Sequence, residues 1–140
     1  FLPQFHFIPK SFTLQKIFSD YSLDYSAFEK RFGEFHSKYR SSVGSLNAGA
    51  IRLVEVYIIA KAPTYFALLD EPFTYLSPIQ IEKVKELLVE EKENKGLLLT
   101  DHLYQHVIDL CENSYVLKNG YTYPAKNIEE ICALGYANLV

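Results

Sequence analysis

Two short apolar runs, YFALLD at residues 65–70 and GLLLTD at 96–101, constrain this chain more than anything else in it. Each is continuously apolar and ends in a carboxylate, which suits a strand of a parallel sheet covered on both faces. Between them, residues 78–93 set Ile81, Val84, Leu87 and Leu88 on one side of an amphipathic helix. The helix start is marked three times: Ser77 as N-cap, Pro78 at the first helical position, and Gln80 three residues after the cap. Strand, helix and strand at this spacing make a right-handed βαβ unit, so the expected fold class is α/β.

The flanking sequence extends that core. Residues 1–12, FLPQFHFIPKSF, are aromatic with two prolines and predict an extended segment bending into a loop. A short helix is expected at 13–19. From Asp24, an N-cap, the residues Tyr25, Phe28, Phe32, Phe35 and Tyr39 recur at helical steps and predict a helix to about Arg40. The small residues of 41–50 read as a loop, and 51–61 as a largely buried helix stopped before Pro63. After the second strand come a helix at about 102–112 and a hairpin in SYVLKNGYTYPA turning at Asn119-Gly120. A last helix is expected over 127–140.

Composition removes several function classes. At 140 residues the chain is one domain's worth, and 49% apolar residues with eleven Tyr and ten Phe exclude disorder. A net charge of −3 with singly scattered Lys and Arg argues against a nucleic-acid surface. The longest apolar stretch is broken by Glu55, Lys61 and Pro63, so no membrane-spanning segment or signal peptide is read. Cys111 and Cys132 sit in no metal or redox spacing and are read as reduced and structural. The chain opens on Phe1 and contains no Met, which suggests a piece of a longer protein.

In an open α/β sheet, ligands collect beyond the carboxyl ends of the strands. Asp70 and Glu71 follow one strand here, and Asp101 and His102 the other. One carboxylate suits a hard cation, a second can orient or deprotonate a water, and the histidine can contact an anion being cleaved. Any one of them also reads as a solvated strand end or a helix cap, and for an isolated Asp-Glu pair that is the better reading. His102 and His106 have the i, i+4 spacing of a zinc pair, but no glutamate base lies between them and no third ligand is evident.

The order of motifs resembles the ATP-binding cassette (ABC) family, the ATPase domains of ABC transporters. LPQ, with Gln4, is similar to the Q-loop. SLNAGAIRLVEV stands in the place of the signature motif, LSGGQ or LSGGE. YFALLDEPF resembles the Walker B strand, YLSP the D-loop, LLLTDH the strand with the switch histidine, and ENSYVLKNGYTY the following hairpin. The resemblance implies a P-loop NTPase-like partial core of parallel strands and flanking helices. An α-helical subdomain at about 10–60 and a C-terminal β-hairpin are added to it, with 62–140 as the Walker B, D-loop and switch-histidine part. It implies MgATP as ligand. Asp70 and Gln4 would lie at the Mg²⁺, Glu71 would be the general base and His102 would contact the γ-phosphate. Asn47, Ala48, Gly49 and Ser77 would face nucleotide held by a second ABC ATPase domain, identical or different. Transmembrane permease subunits are the other implied partner, on the cytoplasmic face of the membrane, with Phe5, Phe7 and Phe12 near their docking groove.

Three departures weigh on activity. The signature reads Leu46-Asn47-Ala48-Gly49-Ala50, and Ser77 stands where the D-loop has Asp. No G-x-x-x-x-G-K-S/T occurs, nor any Gly-Lys pair, so the phosphate cradle of the family is missing from these residues. The 140 residues alone are therefore expected to be inactive, and to self-associate through exposed strand edges and apolar surface. The alternative is a non-catalytic interaction or dimerisation module. A DNA-repair or chromosome-maintenance relative would need a long coiled-coil insertion, and 10–60 shows no heptad array.

Overall fold

A computed structural model describes residues 1–136, and it falls into two compact units, the first Phe1–Thr100 and the second starting at Asp101. In the first unit, Thr13 caps helix α1 (Leu14–Asp20) by accepting the Lys16 N–H, and Asp24 caps α2 (Tyr25–Arg31) through the Ser26 N–H. The expected helix to Arg40 stops nine residues early and is followed by one 3₁₀ turn, Gly33–Phe35. Gly33 weakens the helix at that point, and the Tyr25 hydroxyl takes the Phe35 carbonyl at 2.8 Å, tying the turn back onto α2. The reward is an aromatic cluster in which the Phe28 ring lies 4.6–5.2 Å from Phe18, Phe32, Phe35 and Tyr57. Burial there, with Glu29 nearby, pushes the Tyr25 hydroxyl up to about 12.

The stretch read as a loop to residue 50 holds a 3₁₀ turn, Val43–Ser45, and then the start of helix α3 (Ala48–Lys61). Helix α3 begins three residues before the expected Ile51 because Asn47 caps it, accepting the Ala50 N–H at 2.8 Å. Its residues are buried nearly all round, so it runs through the unit as a central post. Strand β1 (Phe66–Asp70) follows, then α4 (Pro78–Glu91) and strand β2 (Gly96–Thr100). The strands pair in parallel with Leu68 opposite Leu98 and Asp70 opposite Thr100. Leu2 adds one rung on the other edge of β1, donating to Leu68 O and accepting from Asp70 N. Helix α4 starts as read, with the complete capping box between Ser77 and Gln80.

The expectation of strands covered on both faces is corrected. Ala67 and Leu69 are buried, but Phe66 is 76% exposed and Leu98 63%, with Leu68 also exposed. Alternate residues of a strand point to opposite faces, so one face of this two-stranded sheet is open and apolar.

The second unit comprises α5 (Tyr104–Leu110), a hairpin of β3 (Tyr115–Lys118) and β4 (Tyr121–Pro124), and α6 (Ile128–Ala133). Asn119 and Gly120 both have positive φ, 53° and 81°, as the type I′ turn requires. Val116, Ala125 and Ile131 form its small core, with Tyr104, Ile108 and Leu134 against them. Helix α5 is shorter at both ends than the expected 102–112. The helix expected over 127–140 is realised as α6, which Gly135 follows at φ 71°, and 137–140 lie outside the described residues.

Candidate functional site

The carboxyl end of β1 turns sharply. Asp70 is its last residue, and its carboxylate Oδ1 accepts the Thr100 hydroxyl at 2.6 Å across the sheet. Glu71 then takes φ 50°, a left-handed conformation costing a non-glycine residue about 1–3 kcal/mol unless its surroundings impose it. They do. The Glu71 N–H donates to Thr100 O at 2.7 Å, its carbonyl accepts from Arg52 Nη2 at 2.7 Å, and its carboxylate accepts the Thr74 hydroxyl at 3.0 Å.

Arg52 and Glu55, on successive turns of α3, were not singled out in the sequence. Both side chains are fully buried, with Arg52 Nη1 3.5 Å from Glu55 Oε2. Arg52 also donates to the Pro3 carbonyl at 2.8 Å and to the Asp70 carbonyl at 2.6 Å. Glu55 accepts the Phe7 N–H at 2.8 Å and bonds the His6 ring at 2.9 Å. The signal available in the sequence was two charges inside an otherwise apolar helix, RLVEV, since such groups are buried only when paired.

The other candidates fall as follows. Gln4 is exposed, on the segment that Arg52 and Glu55 hold at Pro3 and at His6–Phe7. Asn47 and Ser77 each cap a helix with their own side chains, α3 and α4 respectively. Ala48 is exposed at the start of α3, whereas Gly49 is buried. A Cβ on Gly49 would meet Tyr75 O at 2.6 Å, so the α3 N-terminus packs directly on the segment leading to Ser77. The first unit thus gathers the Gln4 segment, Asp70 and Glu71 around Arg52, and Asn47–Gly49 beside Tyr75–Ser77. His102 belongs to the second unit, where its side chain is 60% exposed and its Nδ1 lies 3.7 Å from Asp101 Oδ1. Phe5 is exposed, and Phe7 and Phe12 are half-buried.

Among the described residues no group of three or more His, Cys, Asp or Glu forms a metal cage. One carboxylate at a strand end fits a different chemistry: Mg²⁺ keeps most of its waters and is held by one or two carboxylates plus the phosphates of its ligand. Asp70 presents a single carboxylate of this kind at the strand end, steadied by the Thr100 hydroxyl.

No family model matches the chain. The lipopolysaccharide export system ATP-binding protein LptB of Escherichia coli K12 is 35% identical over 91 residues, 63% of this chain and 38% of the relative. The ABC transporter ATP-binding protein YhaQ of Bacillus subtilis is 38% identical over 66 residues, 46% of this chain and 22% of the relative. The chain therefore spans 38% or less of the length of these two curated relatives. Among solved structures, an ATP-binding subunit of an ABC transporter superposes with a TM-score of 0.71 at 18% identity, over 99% of this chain and 62% of that one. The chain is a homologue of ABC-transporter ATP-binding subunits over part of their length, and its fold is that of part of an ABC ATPase domain.

Proposed function

We propose that this chain supplies the magnesium- and water-handling side of the nucleotide site in the ATP-binding subunit of an ABC transporter, coupling ATP hydrolysis to transport across a membrane. The observation that carries the reading is the Asp70–Glu71 pair at the carboxyl end of β1, in a turn fixed from one side by Thr100 and from the other by Arg52. Bound MgATP supplies the reacting phosphate and the cation that neutralises its charge. Asp70 would hold the Mg²⁺ with its carboxylate through water. Glu71 would take the proton of the attacking water, Gln4 would sense metal and water, and His102 would contact the terminal phosphate.

Asn47, Ala48 and Gly49, with the free amides of the α3 N-terminus, and Ser77 face the nucleotide of a second ABC ATPase domain. Permease subunits are the other partner, which places the protein on the cytoplasmic face of the membrane. No helix among the described residues is long and apolar enough to cross one. In this scheme 10–60 form the helical subdomain and 62–140 the Walker B, D-loop and switch-histidine part of the core.

By the same reading these 140 residues alone neither bind nor hydrolyse MgATP usefully, because they carry no G-x-x-x-x-G-K-S/T cradle. Calorimetry should show no saturable MgATP binding at micromolar affinity. In a polypeptide joining this chain to a P-loop-bearing portion of an ABC ATPase, Glu71→Gln should lower turnover by roughly 100-fold or more and leave ATP binding in place. Saturable micromolar binding by the 140 residues would contradict the first statement. Turnover untouched by Glu71→Gln would contradict the second and favour a non-catalytic interaction and dimerisation module. That second reading has its own support, since the Asn47 and Ser77 side chains are already committed to capping their helices.

A further inference from the structure

We propose that Arg52 and Glu55 are positioning residues that lock the Gln4 segment and the Asp70–Glu71 turn into one mechanical unit, so that neither moves without the other. The inference rests on the functional reading above only in naming those segments as the site. Its physical basis stands apart from it. Two stretches almost seventy residues apart in sequence meet on one guanidinium: Nη1 takes the Pro3 carbonyl, and Nη2 takes the carbonyls of both Asp70 and Glu71. Glu55 completes the bracket, accepting the Phe7 N–H and bonding the His6 ring while facing Arg52.

A planar guanidinium can reach several carbonyls at once, which the single ammonium of a lysine cannot. A buried ion pair is also poor value as plain stabilisation, because desolvation cancels most of the attraction and apolar residues of like volume often serve as well. What this pair does that apolar residues cannot is hold specific backbone carbonyls and amides in register. The two segments bear the residues expected to sense and to handle the same metal and water, so their relative placement is the quantity such a bracket controls.

The test is residue-resolved hydrogen exchange on the full 140-residue chain in three variants: Arg52→Lys, Glu55→Gln, and the apolar pair Arg52→Met/Glu55→Met. The reporters are the Phe7 amide, bonded to Glu55, and the Glu71 amide, bonded to Thr100 O. The α4 amides of Ile81 and Val84 serve as controls for global stability. Arg52 bonds Pro3, Asp70 and Glu71, and Glu55 bonds His6 and Phe7, so the informative signal is the crossed one.

Arg52→Lys should speed exchange at Phe7, and Glu55→Gln at Glu71, each roughly tenfold or more relative to the controls. The apolar pair, which leaves no single buried charge, should loosen both reporters while α4 stays protected. Crossed effects that are absent, reporters that merely follow α4, or an apolar pair that keeps both reporters protected would overturn the proposal. Failure of the nucleotide reading would appear in the turnover of the longer polypeptide and would leave these exchange rates unchanged.

Discussion

A glycine in a helix ordinarily weakens it, and replacement by alanine gains up to about 1 kcal/mol. At Gly49 the sign reverses, because an added Cβ would stand 2.6 Å from the Tyr75 carbonyl oxygen, a backbone atom with little freedom to retreat. Tyr75 itself is held at φ 69°. Gly49→Ala should therefore destabilise the chain by about 1–3 kcal/mol in denaturant titration, as overpacking usually does. Gly33→Ala, which has nothing within 4 Å, should lack that penalty. An unchanged or raised midpoint for Gly49→Ala would show that the two segments separate easily. The same residue shows where sequence reading stops. Its type and its place in a signature-like loop were legible, but the carbonyl it packs against was not. Arg52 and Glu55 went unread for a related cause: a helix buried nearly all round has no polar face to reveal which of its charges are structural.

Among the elements, those whose signals are local were read well. Ser77, Pro78 and Gln80 lie within four residues, and the capping box is complete. Ser77→Ala removes the acceptor for the Gln80 N–H and should cost about 1 kcal/mol, lowering the thermal midpoint by a few degrees in calorimetry. No change would mean that Pro78 alone sets the start of α4. The hairpin was equally legible, since Asn-Gly at a two-residue turn leaves few options. The α2 region was not. Its helical spacing of aromatics is real, but burying Phe28, Phe32 and Phe35 together is achieved by folding back through a 3₁₀ turn. Only the distant Tyr25–Phe35 bond reveals that choice.

At the scale of the whole molecule, the open face of the β1–β2 sheet should dominate behaviour in solution. Phe66, Leu68 and Leu98 form an exposed apolar set on adjacent strands, the kind of patch that seeks a cover. Continuous apolar runs told the strands apart from helices but said nothing about what covers them, so the open face was the part of the fold least legible in the sequence. Light scattering should find the chain associated, and Leu98→Glu should shift it toward the monomer. A monodisperse native monomer would contradict this. Leu2 gives the association a direction. Its single rung already occupies the outer edge of β1 near the carboxyl end, whereas the far edge of β2 has no strand partner among the described residues. Joining two copies β2 to β2 about a two-fold axis would use that unpaired edge on both copies at once, a contact that closes on itself rather than repeating.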